Sequence, residues 1–288
     1  MKHLKLVFIT LFSTLVFVSC SSDDTDSTPT VTLNPLEAYE ELNIPYGEAT
    51  DQVFDLYLPP NRTDETKTII LVHGGGWTSG DKVDMNEFKT FIIEQMSDYA
   101  VVNINYRLAD ETHLPYPMQI EDISSVVDFL NTNKDYYTIS DNIGFLGASA
   151  GAHLALLWSY AFDNNNQVDM VCSFVGPTNF TDPAYIESTN PLLQLLISTL
   201  GIDINDDAFL EEISPYHNAT TAAPPTILFY GGQDPLVPTS QGTAMRDKLE
   251  ELNVTHEFTL YPEEGHGWEG LNLIDSTLKL KTFIENHL

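Results

Sequence analysis

The sequence predicts an α/β fold: a mostly parallel sheet flanked on both faces by helices. Three observations lead there. Short apolar runs without alternation, such as Thr68-Ile69-Ile70-Leu71-Val72 and Thr226-Ile227-Leu228-Phe229-Tyr230, read as strands buried on both faces. Between them lie stretches of helical spacing, for example Ile120, Ile123, Val126, Val127 and Leu130, which begin near Tyr116-Pro117. Strand and helix then alternate along the chain, the pattern of a parallel sheet with crossover helices.

Taken in order, residues 1–19 read as an export signal. Lys2 and Lys5 precede Leu6 to Val18, a mostly apolar stretch too short and wrongly flanked for a spanning helix. Val16-Phe17-Val18-Ser19-Cys20 resembles the lipobox of bacterial lipoproteins, with Phe17 where leucine is usual. That resemblance implies a lipid on Cys20 and an exported chain anchored to a bacterial membrane; the alternative is an ordinary secretory signal. The acidic run Ser21 to Asp26 resembles the export signal of surface-exposed lipoproteins in Bacteroidota, which leaves periplasmic and cell-surface placement both open. Residues 20–50, rich in Ser, Thr, Asp and Pro towards their start, are expected to form a flexible tether, and residues 51–288 a single catalytic domain.

Val53 to Leu58 alternates and ends at Pro59-Pro60, which suits an edge strand. Thr68–Val72 runs straight into His73-Gly74-Gly75-Gly76-Trp77. Glycines after a buried strand let backbone amides approach a ligand, as an oxyanion hole requires. A phosphate cradle is disfavoured because the Lys-Ser/Thr of a P-loop is missing. His73 is read as a residue that orients this loop. Val101 to Asn105 is the next buried strand, followed by Tyr106-Arg107-Leu108-Ala109.

Gly147-Ala148-Ser149-Ala150-Gly151 follows the apolar run Ile143-Gly144-Phe145-Leu146 and opens the helical pattern His153 to Trp158. Strand, tight turn and helix form the setting in which a G-x-S-x-G segment becomes a nucleophile elbow. The amide-rich start of the helix then faces the serine hydroxyl, where negative charge is stabilised. Residues 177–220 break the alternation, with apolar clusters at 192–197 and 202–210, and read as a small helical insertion forming a cap. Asp234 follows the strand Thr226–Tyr230, on the edge where open α/β sheets carry their chemistry. His266 sits between two glycines after the strand His256 to Tyr261.

Ser149, Asp234 and His266 therefore each follow a strand, in the chain order Ser, Asp, His. A serine is a weak nucleophile until a base takes its proton, an imidazole suits that exchange, and a carboxylate orients the imidazole. Amides of Gly75, Gly76 and Ala150 are the expected oxyanion donors. Trp77, Tyr106 and Trp268 are the expected substrate-binding side chains.

Composition limits the partners. A net charge of −30 argues against nucleic acid, whose phosphates would be repelled. With Cys20 at the signal boundary, Cys172 stands alone in Met170 to Phe174, most simply a buried thiol in a strand, and no metal-type Cys/His spacing occurs.

On the segments 73–77, 106–109, 147–151, 234–238 and 265–268, residues 51–288 resemble an α/β-hydrolase of the hormone-sensitive-lipase-like or feruloyl-esterase-like group. The resemblance implies a serine esterase with no metal or cofactor. Its substrates would be acetyl or feruloyl esters of carbohydrates or other short acyl esters. Lipid-directed relatives often carry Gly-Asp-Ser-Ala-Gly; Ala148 departs from that and points to carbohydrate-type esterases. Two alternatives stay open. One is a serine peptidase or amidase, including an arylformamidase-like enzyme. The other is a catalytically silent surface lipoprotein that binds glycan.

Overall fold

The structure, a computed structural model, describes residues 33–199 and 203–288. The export-signal and lipidation readings, Cys20 included, and the start of the tether lie outside these residues.

Eight strands form one sheet: β1 (Tyr39–Pro45), β2 (Val53–Leu58), β3 (Thr68–Val72), β4 (Ala100–Ile104), β5 (Ile143–Ala148), β6 (Val168–Phe174), β7 (Thr226–Gly231) and β8 (His256–Tyr261). Their order across the sheet is β1-β2-β4-β3-β5-β6-β7-β8. β1 pairs antiparallel with β2, and β2 antiparallel with β4; every other pairing is parallel. β3, β4 and β7 are buried at every position, as strands covered on both faces must be. Cys172 lies within β6, fully buried, and burial pushes its thiol pKa up.

Two expectations at this edge need correction. The tether expected over 20–50 includes β1, whose backbone is held by pairing with β2. Because β1 covers it, β2 is the second strand of the sheet and not its edge. The cause is side-chain pairing that composition does not register: Ile44 is buried, and the Asn43 amide donates to Asp55 of β2 at 2.9 Å.

Nine helices are present among the described residues: α1 (Asn86–Gln95), α2 (Pro115–Tyr137), α3 (Ala150–Ala161), α4 (Pro183–Ile186), α5 (Pro191–Thr199), α6 (Asp207–Glu212), α7 (Pro215–Asn218), α8 (Thr239–Glu251) and α9 (Gly270–His287). α4 to α7 fall in the segment read as an insertion. They join the main body at specific points: Leu210 and Ile213 are buried in its largest apolar core, and the Tyr116 hydroxyl donates to Glu212 at 2.7 Å. One core layer contains α2 and α3 residues such as Ile123, Val126 and Leu156; the opposite layer contains Ile92 of α1 and Leu280 and Phe283 of α9. The sheet is thus sandwiched, and the carboxyl ends of β3, β5, β7 and β8 are left to carry loops.

Candidate active site

Ser149 stands between β5 and α3 with φ 52 and ψ −120, a backbone conformation that side-chain-bearing residues seldom adopt. The turn fits only because its neighbours are small. A Cβ on Gly151 would collide with the carbonyl oxygens of Val72 and His73 at the end of β3. The same packing brings the loop after β3 against the elbow, and a Cβ on Gly74 would lie 3.2 Å from Cβ of Ser149.

The structure brings Ser149, His266 and Asp234 together. Ser149 Oγ lies 2.8 Å from His266 Nε2, and His266 Nδ1 lies 2.7 Å from Asp234 Oδ2. With Nδ1–H donating to the carboxylate, Nε2 is left to accept from the serine hydroxyl. The Asp234 side chain is fully buried, and its other oxygen accepts from the amides of Leu236 (2.8 Å) and Val237 (3.0 Å). These donors fix the carboxylate orientation independently of the histidine. The loops after β7 and β8 are tied together by Gln233 N–H donating to Glu264 at 2.8 Å and Gly232 N–H to Tyr261 at 2.8 Å.

The loop after β3 is held from within. Its turn is closed on the Gly75 carbonyl, which accepts from the amide of Ser79 at 3.0 Å and its hydroxyl at 2.8 Å. The amides of Gly75 and Gly76 have no acceptor among the described residues. Ala150 is the first residue of α3, so its N–H has no carbonyl within the helix to bond. His73 is buried, stacked on Tyr106 at 4.2 Å, with Nδ1–H donating to Gly74 at 2.6 Å; burial lowers its pKa.

Of the three aromatic residues expected to meet substrate, only Trp268 reaches open space. It lines a cavity of about 620 Å³ beside His266, together with Phe88, Phe174 and Leu273. Tyr106 is fully buried and donates its hydroxyl to the His73 carbonyl at 2.9 Å. Trp77 is buried too: its Nε1–H donates to His153 Nδ1 at 3.1 Å, and its carbonyl accepts from Gln119 Nε2 at 2.7 Å. Both are anchors of the loop, not walls of the cavity. A polar tip in a loop turns inward when a buried partner awaits it.

His153 is the residue that sequence reasoning passed over. From α3 it accepts from Trp77, and its Nε2–H donates to the carbonyl of Ile213 at 2.8 Å. It therefore joins the elbow helix, the glycine loop and the 207–218 segment. Burial pushes its pKa down to about 4, so it stays neutral and able to accept. The signal available was a histidine on the apolar face of α3, which points to a buried partner without naming it. Arg107 is held by Asp122, which accepts from its Nε at 2.8 Å and its backbone amide at 2.7 Å; the Asp122 hydrogen bond raises the guanidinium pKa. Among the described residues, no group of three or more His, Cys, Asp or Glu side chains is arranged to hold a metal ion.

Sheet order and elbow together define an α/β hydrolase, and its relatives in sequence make this a domain of the carboxylic ester hydrolase class. The chain belongs to the BD-FAE family, whose model matches residues 54–249. It is 25% identical to carboxylesterase NlhH of Mycobacterium tuberculosis over 249 residues, 82% of this chain and 76% of that protein. It is 24% identical to esterase LipC of the same organism over 243 residues, 79% of this chain but only 59% of the relative's length. In fold it is similar to a truncated carbohydrate esterase from gut microbiota, with a TM-score of 0.71 at 20% identity, covering 89% of this chain and 99% of that one.

Proposed function

We propose that the protein hydrolyses carboxylic esters through an acyl-enzyme, with Ser149 as nucleophile, His266 as base and then acid, and Asp234 as the group that orients the imidazole. The observation that carries this reading is the unbroken hydrogen-bonded path from buried Asp234 through His266 to Ser149, at 2.7 and 2.8 Å. His266 takes the hydroxyl proton as Ser149 Oγ attacks the ester carbonyl. The carbonyl oxygen gains negative charge and is met by amides of Gly75, Gly76 and Ala150. Loss of one such donor typically costs roughly 3 kcal/mol of transition-state stabilisation. His266 then gives its proton to the departing alcohol. A water deprotonated by the same imidazole attacks the acyl-serine, the C–O bond to Ser149 breaks, and the hydroxyl is restored.

The substrates proposed are acetyl or feruloyl esters of carbohydrates, or other short acyl esters. Support comes from Ala148 at the elbow, from the BD-FAE family and from an aromatic-walled cavity beside His266. The protein is further proposed to be exported and lipid-anchored at Cys20, on the strength of the lipobox-like Val16 to Cys20. Fluorophosphonate labelling tests the nucleophile: wild type is labelled and Ser149→Ala is not. Equal labelling of both would remove Ser149 from the mechanism. A panel of acetylated xylan, feruloyl esters, 4-nitrophenyl acetate and peptide amides tests the reaction; turnover of amides alone would defeat the esterase assignment. Incorporation of an alkyne-tagged fatty acid in wild type but not in Cys20→Ala tests the anchor.

A further inference from the structure

A second, shallow depression of about 600 Å³ lies between α1 and α9 next to the cavity beside His266, and the two share Glu87 as a wall. Helical spacing explains why they adjoin. Phe88 and Phe91 lie three apart on α1, and Leu273, Ile274 and Leu278 follow one another along α9, so each helix presents an apolar edge to the same trough. From Glu87 to Glu94 the trough follows α1 for roughly 10 Å at the helical rise per residue. That is longer than any small acyl group requires. Ile274 and Leu278 are more than half exposed, although they line it.

Its charge is one-sided. Every ionisable side chain along the trough apart from His266 is acidic: Glu87 and Glu269 at the catalytic end, and Glu94 farther along. No lysine or arginine lines either cavity. The remaining polar walls, among them Asn86, Thr90 and Gln95, are neutral. Aromatic and aliphatic faces with hydroxyl-binding groups between them suit rings that are apolar on one face and hydroxylated at their edges. A carboxylate placed between Glu87 and Glu269 would be repelled; the Lys281 ammonium stands only at the far end, where it donates to the Gln95 carbonyl at 2.8 Å and pairs with Glu285.

We propose that the α1–α9 trough is an extended subsite of the catalytic centre. It takes an uncharged, ring-bearing part of the ester, such as a neutral oligosaccharide, and Glu87, Glu94 and Glu269 make it reject carboxylate-bearing counterparts. The inference rests on the hydrolase reading and sharpens it from ester to neutral glycan ester. Glu87 and Glu269 act on which substrate stays bound, not on bond making.

The test compares kcat/KM for acetylated xylo-oligosaccharides and acetylated galacturono-oligosaccharides of equal length, at low and at physiological salt. Wild type should favour the neutral ester, and the gap should narrow as salt rises. Paired reversal, Glu87→Lys with Glu269→Lys, should raise the anionic-to-neutral ratio roughly tenfold at low salt, mainly through KM. Glu94→Lys should raise it less, and only for oligosaccharides long enough to reach it. A ratio that stays at its wild-type value in both variants overturns the proposal. If wild type turns over neither ester, the hydrolase reading fails instead. Binding of the same two oligosaccharides to Ser149→Ala, followed by calorimetry, then decides the trough by itself: neutral-only binding upholds it, and equal binding or none overturns it.

Discussion

Buried His153 makes the protein's stability acid-sensitive in a way that can be calculated. In the unfolded chain its imidazole titrates near 6.5. In the folded protein burial pushes it down to about 4. Its Nδ1 must stay unprotonated to accept from Trp77, so the native state resists the proton that the unfolded state takes up. The sign follows: above pH 6.5 neither state binds that proton, and the contribution of neutral His153 is fully present. Between pH 6.5 and 4 the unfolded state binds more protons, so stability falls with pH. The loss amounts to roughly 2 kcal/mol by pH 5 and approaches about 3 kcal/mol near pH 4. His153→Gln isolates this contribution. Its amide oxygen can accept from Trp77 and its amide nitrogen can donate to Ile213, but it does not titrate. The variant should begin about 1 kcal/mol less stable than wild type at pH 7.5 and, because only wild type loses roughly 2 kcal/mol through this residue, end about 1 kcal/mol more stable at pH 5. Urea midpoints read by tryptophan fluorescence at both pH values, at constant ionic strength, measure the difference. His73, also buried with a lowered pKa, is common to both proteins and cancels. If wild type and variant lose stability in parallel between pH 7.5 and 5, His153 is not held neutral by burial and the reasoning fails.

Two further substitutions probe the site. Asp234→Asn keeps a buried side chain whose oxygen can still accept from Leu236 and Val237, but it no longer offers a carboxylate to His266 Nδ1. A drop in kcat of about 10³ to 10⁴-fold is expected with an unchanged unfolding midpoint, and a loss below tenfold would contradict the assigned role. Gly151→Ala drives a methyl into the carbonyls of Val72 and His73, so it should cost about 1–3 kcal/mol of stability. It should also lower kcat by about 100-fold as glycine loop and nucleophile move apart. Full activity with a wild-type midpoint would show that the elbow tolerates the bulk.

Much of the fold was legible because its strands are apolar on both faces. Runs such as Thr68–Val72 and Thr226–Tyr230 contain no alternation to misread, and each coincides with a buried strand of the sheet. Ser149 and Asp234 were legible as candidates because each follows such a strand, and His266 because it follows the half-exposed edge strand β8; parallel pairing delivers all three to one edge. β1 was not legible. Its Tyr39-Glu40-Glu41-Leu42-Asn43 is mostly exposed and polar, and only pairing with β2 gives it structure. Trp77 and Tyr106 failed differently. Their place beside glycines and strand ends was right, but loop position does not set side-chain direction. That direction was decided by the His73 carbonyl for Tyr106 and by His153 for Trp77, partners 33 and 76 residues away in the chain.

The same contrast separates chemistry from selectivity in this molecule. The groups aligned for proton transfer sit at strand ends, where the backbone ladder fixes their spacing, and a linear reading finds them. The trough is walled largely by α1 and α9, which lie far apart in sequence and meet only on one face of the folded sheet. Neither helix carries a motif, and the faces they turn to the trough are exposed and mixed in character, so neither stands out as core or as site. Their tolerance of change follows from the same fact. Glu87, Glu94 and Glu269 are exposed or nearly so and hold no other element in place, whereas Asp234 is bound by two amides and an imidazole. Substitutions along the trough should therefore redirect substrate choice at little cost in stability, while substitutions at the strand ends should remove activity outright.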